Sequence, residues 1–326
     1  MRSGATKKQR RNVAIIAAPG APHATAMADA LRALGCTPFI WNVGHSHEVA
    51  PLTIGSDAPE PAFDVAYVDL LPLAAPRAFR AEGAYFLYDD WQRDWQEARA
   101  RRAVLEATFA DLERRGVTLV SSPLSATAYN KPAQLACLSR AGFSVPPFVI
   151  TNDAKVARAF LGEHDDAVMK PAMGGGHCLP VNAEQVDDLP LRRAPMIFQK
   201  RVRGDDIRVT TVRGEMLSAV RVVNDDADPS VVDFRAQRAY HQGTTRYQPV
   251  KVDAKLTRLC TRILENCGMH FGGIDFKRDA KGKLHLLECN VQPGWLAIEA
   301  ATGAPVCEGL ARYLLALRAT SGRRRR

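Results

Sequence analysis

The segment 274–290, IDFKRDAKGKLHLLECN, places Asp275 ahead of a cluster of turn-forming residues and returns with Glu288 and Asn290 two positions apart. Asp279 and Gly282, set among lysines between two apolar runs, predict a β-hairpin. Alternate residues of a strand share a face, so Glu288 and Asn290 point the same way, and Asp275 on the partner strand can face them. Three oxygen-bearing side chains on one face suit a hard cation, most simply Mg²⁺ shared with a phosphate. The same pattern describes a solvated strand face, and this stretch alone does not choose between them.

A second cluster is VMKPAMGGGH, where Lys170 ends an apolar strand and Gly174, Gly175 and Gly176 follow. Glycines let backbone N–H groups approach phosphate oxygens, and a nearby lysine adds a point charge. The Walker A spacing is absent, and a glycine run after a strand is also an ordinary loop. Lys131, in YNKPAQL, falls near a predicted helix start, where a cation opposes the helix dipole unless an anion lies close by. His45 and His47 lack a third ligand and read as loop residues. His177 and Cys178 follow the glycines, either touching a substrate or simply continuing the loop.

The elements that must position these residues follow from periodicity. NVAIIAA, TPFIWNV, FDVAYVDLL and VTLVSS read as strands. ATAMADALRALGC and DWQEARARRAVLEATFADLERRG read as helices, the second ending at Gly116. Their alternation predicts a small open α/β domain with a largely parallel sheet. Downstream, SATAYNKPAQLACLSRAGF is a predicted helix with Ser125 or Thr127 near its start. VPPFVIT is a strand, TNDAKVARAFLGEH a capped helix, and PMIFQKRVRG, DDIRVTTVRG and EMLSAVRVVN strands of one antiparallel sheet. DAKLTRLCTRILENCG is an amphipathic helix before the hairpin, and VCEGLARYLLALRAT closes the chain as a helix.

Composition narrows the function classes. The net charge of +9 lies largely in MRSGATKKQRR and the terminal RRRR, two tails expected to be disordered, which leaves a near-neutral body and no nucleic-acid face. Arg10 and Arg11 before VAIIAAPG resemble a secretion signal, but Pro19 and Gly20 cut the apolar run short, as at the end of a buried first strand. No segment approaches the roughly 20 apolar residues of a membrane span. Seven cysteines, an odd number without a CxxC pair, point to reduced thiols in the cytoplasm.

Taken together, NKPAQLACLSRAGFSVPPFVIT, VMKPAMGGG, FQKRVRGDDIRV, GGIDF and LLECN follow the order and spacing of the ATP-grasp ligases. The resemblance runs from about Ser125 to Gly303. It is closest to the ribosomal-protein-S6 glutamate ligase-like branch, and within it to the microviridin-type ligases that cyclise ribosomal peptides, through NKPAQL, TNDAKVARAF and VVDFRAQ. It implies an α/β fold, α+β in its C-terminal half, with ATP held between two α+β subdomains. The implied division is a basic tail (1–11), an open α/β pre-ATP-grasp domain (12–123), a lid subdomain (124–198), a C-terminal subdomain with the Mg²⁺ site (199–319) and a second basic tail (320–326).

By the same resemblance, Lys131 and Lys170 are the phosphate-binding lysines, under a glycine lid of Gly174, Gly175 and Gly176. Gln199, Lys200, Arg201 and Val202 form the hinge along the adenine edge, and Asp206 takes the ribose hydroxyls. Arg208 stabilises the transferring phosphoryl group, and Asp275, Glu288 and Asn290 hold Mg²⁺. Two Mg²⁺ ions are implied, with Mn²⁺ as a substitute. Lys200 departs from the Gln-Glu hinge of many relatives, a change that recognition of the base by the backbone would survive. Arg221 and Arg235 sit where relatives place phosphate- or substrate-facing charge, and each also reads as a surface arginine.

The implied chemistry activates a carboxylate as an acyl phosphate, releasing ADP, for attack by an amine or hydroxyl. The donor and acceptor belong to a peptide or to small molecules. A non-ligase nucleotide binder is the competing class, disfavoured by the complete set of acids and lysines. Asp89 and Trp91 mark either a substrate-facing surface or a helix cap over buried tryptophans. A homodimer is expected from the family resemblance, with no nucleic-acid or membrane partner.

Overall fold

The computed structural model describes residues 12–43, 61–69, 88–122, 124, 130–173, 176–225, 227–228 and 230–321. Residues 1–11 and 322–326, the His45–His47 loop, Ser125, Thr127, Gly174, Gly175 and the side chains of Asp89 and Trp91 lie outside this description, while 320–321, expected in the second tail, are helical. The chain forms two compact units, one of residues 1–124 with 307–326 and the other of residues 125–306.

In the first unit, β1 (Asn12–Ala17), β2 (Phe39–Asn42), β3 (Phe63–Asp69) and β4 (Thr118–Val120) form an all-parallel sheet in the order β2-β1-β3-β4. Val13, Ile15 and Val65 are fully buried, as are Ile16 and Val68, so both faces of the inner strands are covered. The crossovers are α1 (Pro22–Ala33) and α2 (Tyr88–Arg114). α2 begins earlier than its apolar periodicity suggests. It ends as expected at Gly116, whose φ of 80° is the left-handed turn that glycine takes without strain. Leu105, Phe109 and Leu112 of α2 pack on Ala14, Ile16 and Val68.

The second unit carries two sheets. α3 (Lys131–Arg140) leads to β5 (Phe148–Thr151), α4 (Ala154–Glu163), β6 (Ala167–Pro171), β7 (Leu179–Val181) and β8 (Met196–Lys200). These strands make an antiparallel sheet in the order β5-β8-β6-β7. Then come β9 (Asp205–Val212), β10 (Glu215–Val223), a 3₁₀ turn (Phe234–Ala236), α5 (Arg238–His241), β11 (Arg246–Pro249), α6 (Ala254–Asn266), β12 (Phe271–Arg278), β13 (Leu284–Asn290) and α7 (Leu296–Thr302). The second sheet has the order β11-β10-β9-β12-β13. Thus β8 does not join β9 and β10, as the sequence pattern suggested. The chain changes sheets at Arg201–Gly204, where Gly204 adopts φ 141° and a Cβ would lie 2.0 Å from the Arg278 carbonyl oxygen.

α3 starts at Lys131, with Asn130 rather than Ser125 or Thr127 as its cap; the Asn130 side chain accepts from Ala133 N at 3.0 Å. α6 is capped by Asp253 and buries Cys260, Ile263 and Leu264 against Val209, Ile274, Phe276 and Leu286. Full burial of each large aliphatic or aromatic side chain is worth about 1.5–3 kcal/mol, which anchors the sheet that carries the acidic hairpin. The final helix, α8 (Val306–Ser321), was expected in the C-terminal subdomain. From Cys307 onward it belongs instead to the first unit: Cys307 Sγ donates to Ala26 O at 3.2 Å, and Leu310, Ala311 and Leu314 are fully buried.

Candidate active site

The β12–β13 hairpin forms as the sequence implies. Asp279 accepts from the backbone N–H groups of Lys281 and Lys283, and Gly282 takes φ 79°. Antiparallel register sets Asp275 opposite Glu288 and Gly273 opposite Asn290. The Asn290 amide donates to Asp275 Oδ2 and to Glu288 Oε1, both at 3.0 Å. β9 lies on the other side of β12 and pairs Arg208 with Asp275, bringing Arg208 Nε to 3.4 Å from Asp275 Oδ1. From the start of α3, Lys131 Nζ reaches Glu288 Oε2 at 3.1 Å. The anion that a lysine at a helix N-terminus calls for is therefore Glu288.

Electrostatics separate the two acids. Burial, with Glu288 opposite, drives the Asp275 carboxyl upward against the pull of Arg208. Burial also opposes the charge on Glu288, but Lys131, the Asn290 amide and Lys170 outweigh it and hold that carboxyl below its usual range. Asp275 is thus under-compensated, and a further cation has two carboxylates and the amide oxygen of Asn290 to bind; the donor set fits a hard metal ion. Among the described residues no group of three or more His, Cys, Asp or Glu is arranged to hold a metal. The set here is two acids and an amide.

Lys170, only 8% exposed, donates to Gln199 Oε1 at 3.1 Å, and Gln199 in turn donates to Pro146 O at 3.4 Å. Burial lowers the Lys170 pKa, partly offset by Glu288. Along the hinge, Lys200 N donates to Pro147 O and Arg201 N to Asp166 O, fixing the path of the strand end; the Lys200 side chain is exposed. Asp206 lies 2.8 Å from Lys277 Nζ, yet burial raises its pKa.

One cleft within the second unit gathers these groups. Lys131, Lys170, Arg208, Asp275 and Glu288 line it, as do Gly176, Asp206, Arg235 and the hinge Gln199–Val202. Val168, Ile207, Val222 and Leu287 supply apolar wall. A cleft in which Lys131, Lys170, Arg208 and Arg235 flank the Asp275–Glu288 pair beside an apolar wall can take a polyanion attached to a flat, weakly polar group. Asn290 bonds both acids without being part of the lining itself. Arg221, which could have faced a phosphate, is instead tied to Gln248 and Asp205 and does not line the cleft.

Among the lining residues that escaped the sequence reading are Lys277, Asp233 and Phe234. Lys277 was within reach, since it follows Asp275 by two positions on the same strand. Asp233 forms a bidentate pair with Arg235 at 2.9 and 2.7 Å and accepts from Cys178 N at 3.3 Å. Burial opposes charge on Asp233, but the Arg235 hydrogen bonds prevail and bring its pKa down to about 2. Cys178 lines the cleft, and burial raises its thiol pKa. His177 is exposed, its Nδ1 3.7 Å from Asp233 Oδ2.

Comparison with known proteins bears on the fold. No family model matches the chain. It is 31% identical over 117 residues to a probable alpha-L-glutamate ligase 2 of Shewanella amazonensis, covering 36% of each chain. It is 32% identical over 105 residues to a D-alanine–D-alanine ligase of Chromohalobacter salexigens, covering 30% of this chain and 32% of that one. The match therefore spans about a third of the length of these curated relatives. Among solved structures, the ATP-grasp ligase PsnB, complexed with a phosphomimetic variant of its minimal precursor, Mg and ADP, superposes with a TM-score of 0.79. It is 26% identical, over 95% of this chain and 99% of that chain. The macrocyclase MdnC of Microcystis aeruginosa, bound with its precursor peptide MdnA, gives 0.70 at 16% identity over 93% and 99%. The chain has the ATP-grasp fold of these ligases.

Proposed function

We propose that this chain is an ATP-dependent, ADP-forming ligase that activates a carboxylate on a peptide and passes it to an amine or hydroxyl. The observation that carries the reading is the convergence, in one cleft, of Lys131, Lys170, Arg208 and Arg235 on the Asp275–Glu288–Asn290 hairpin. The peptide preference draws on PsnB and MdnC, whose solved complexes contain precursor peptides. None of the seven cysteines, all among the described residues, forms a disulfide, which suits a cytoplasmic enzyme with access to ATP. Among the described residues no helix is long and apolar enough to cross a membrane.

In this reading a carboxylate oxygen of the substrate attacks the γ-phosphorus, the bond to the ADP oxygen breaks, and an acyl phosphate forms. The acceptor then attacks the carbonyl carbon, the C–O bond to phosphate breaks, and the acceptor's proton is lost. Lys131, Lys170 and Arg208 offset the charge that builds on the transferring oxygens, held in place beforehand by Glu288, Gln199 and Asp275. Asp275, Glu288 and Asn290 would hold Mg²⁺, which when bound neutralises phosphate charge. Asp206 is suited to ribose hydroxyls, and the backbone of Gln199–Val202 to the base edge. Gly176, on the cleft lining, leaves room for phosphate oxygens to approach its backbone.

The test is ADP release from ATP and Mg²⁺ in the presence of hydroxylamine, which traps acyl phosphates as hydroxamates, with pooled peptides and amino acids as donors. ADP and a hydroxamate are expected, both reduced about 10²–10³-fold in Glu288→Gln. A hydroxamate from free amino acids alone would move the substrate class toward that of the D-alanine–D-alanine ligase. Release of AMP in place of ADP would refute the mechanism.

A further inference from the structure

β13 is the outermost strand of its sheet, so the backbone groups on its free side need partners that β12 cannot supply. At Cys289 both partners come from one side chain. Gln134 Nε2 donates to Cys289 O at 2.6 Å, and Cys289 N donates to Gln134 Oε1 at 2.7 Å. Gln134 is 4% exposed, and a primary amide is suited to the task because it carries a donor and an acceptor in one plane. It acts toward β13 as a strand one residue long.

The place of this clamp gives it meaning. Cys289 stands between Glu288 and Asn290, the two hairpin residues of the candidate active site. Gln134 follows Lys131 by three positions on α3, so the two side chains share a helix face. One turn of α3 therefore holds β13 twice, by the Lys131–Glu288 ion pair and by the Gln134–Cys289 backbone clamp. Leu135 and Leu138 are 2% and 1% exposed, so that turn is itself anchored in the interior.

We infer that Gln134 is a positioning residue: its amide sets β13 against α3 so that Glu288 meets Lys131, with Asn290 beside it, at the distance that binding and phosphoryl transfer require. The functional part of this inference rests on the ligase reading above; the clamp itself does not. If Gln134 merely closed a sheet edge, its loss would lower stability without acting through Glu288. If it positions the site, its loss must be felt through Glu288 and through Mg²⁺.

The experiment measures calorimetric binding of ADP to the full chain, with Mg²⁺ and with EDTA, for wild type, Gln134→Leu, Glu288→Gln and the double variant. Gln134→Leu is expected to weaken binding with Mg²⁺ roughly 10- to 100-fold, the usual effect of losing a group that orients metal ligands. In EDTA the loss should be under about threefold. In the double variant Gln134→Leu should add little to Glu288→Gln, because coupled residues are not additive. A loss of equal size with and without Mg²⁺, or one fully additive with Glu288→Gln, would overturn the positioning role. Should Gln134→Leu fail to fold, Gln134→Met is close in size, unbranched and uncharged, removes both halves of the clamp and carries the same expectations. Absence of ADP binding by the wild type would refute the ligase reading instead. The clamp would then be decided by hydrogen exchange: wild-type exchange at residues 288–290 in Gln134→Leu overturns it, and acceleration confined there upholds it.

Discussion

The Asp233–Arg235 pair permits a worked expectation. Asp233 has a side chain 4% exposed and accepts from Arg235 N at 3.0 Å, from the guanidinium at 2.9 and 2.7 Å, and from Cys178 N at 3.3 Å. Its carboxyl titrates at about 2 against an ordinary 3.8, which by linkage is worth about 2.4 kcal/mol at neutral pH. Arg235 is 39% exposed, so solvent screening trims this to about 1–2 kcal/mol. A depressed carboxyl stabilises fully above its unfolded value, and the contribution fades as pH falls from 3.8 toward 2. Asp233→Asn keeps the shape and one acceptor oxygen but loses the charge. It should cost about 1–2 kcal/mol in urea unfolding at pH 7 and almost nothing at pH 2. Arg235→Met should cost a similar amount, and the two together less than their sum. A loss unchanged between pH 7 and pH 2, or strict additivity, would refute the reasoning.

Other expectations concern the scaffold. Burial, aided by Arg213, pushes the His270 imidazole down to about 4. Between 6.5 and 4 the unfolded chain therefore binds a proton that the folded chain refuses, and stability should drop by about 2–3 kcal/mol as pH falls through that window. His270→Gln should flatten this part of the pH–stability curve, and an unchanged slope would contradict it. A Cβ at Gly273 would lie 2.4 Å from Pro293 Cβ, so Gly273→Ala should cost about 1–3 kcal/mol in urea unfolding. A cost below about 0.5 kcal/mol would show that the contact gives way.

What the sequence disclosed and what it hid have physical causes. Asp275, Glu288 and Asn290 were legible because strand alternation and a hairpin turn are local rules, and the structure brings the three side chains together. The parallel sheet of the first unit was legible because its buried strands are continuous apolar runs. The sheet exchange at Gly204 was not, because nothing local distinguishes a hairpin from a crossing when both need a glycine between strands. Gln134 was hidden for a different reason: its partner is a backbone 155 residues away, and backbone groups leave no mark in the sequence. Asn130 displaced Ser125 and Thr127 as the cap of α3 because any short polar residue signals a helix start, and only the fold selects among them.

The return of α8 to the first unit has a consequence for synthesis. Residues 125–306 emerge between the first sheet and the helix whose Leu310 and Leu314 complete that unit's interior. At ribosomal speeds of about 5–20 residues per second, that gap lasts roughly 10–40 s. The nascent chain therefore reverses the usual order of assembly. The unit made first finishes last, and the later unit, contiguous in sequence, can close around its cleft while the earlier one still awaits its final helix.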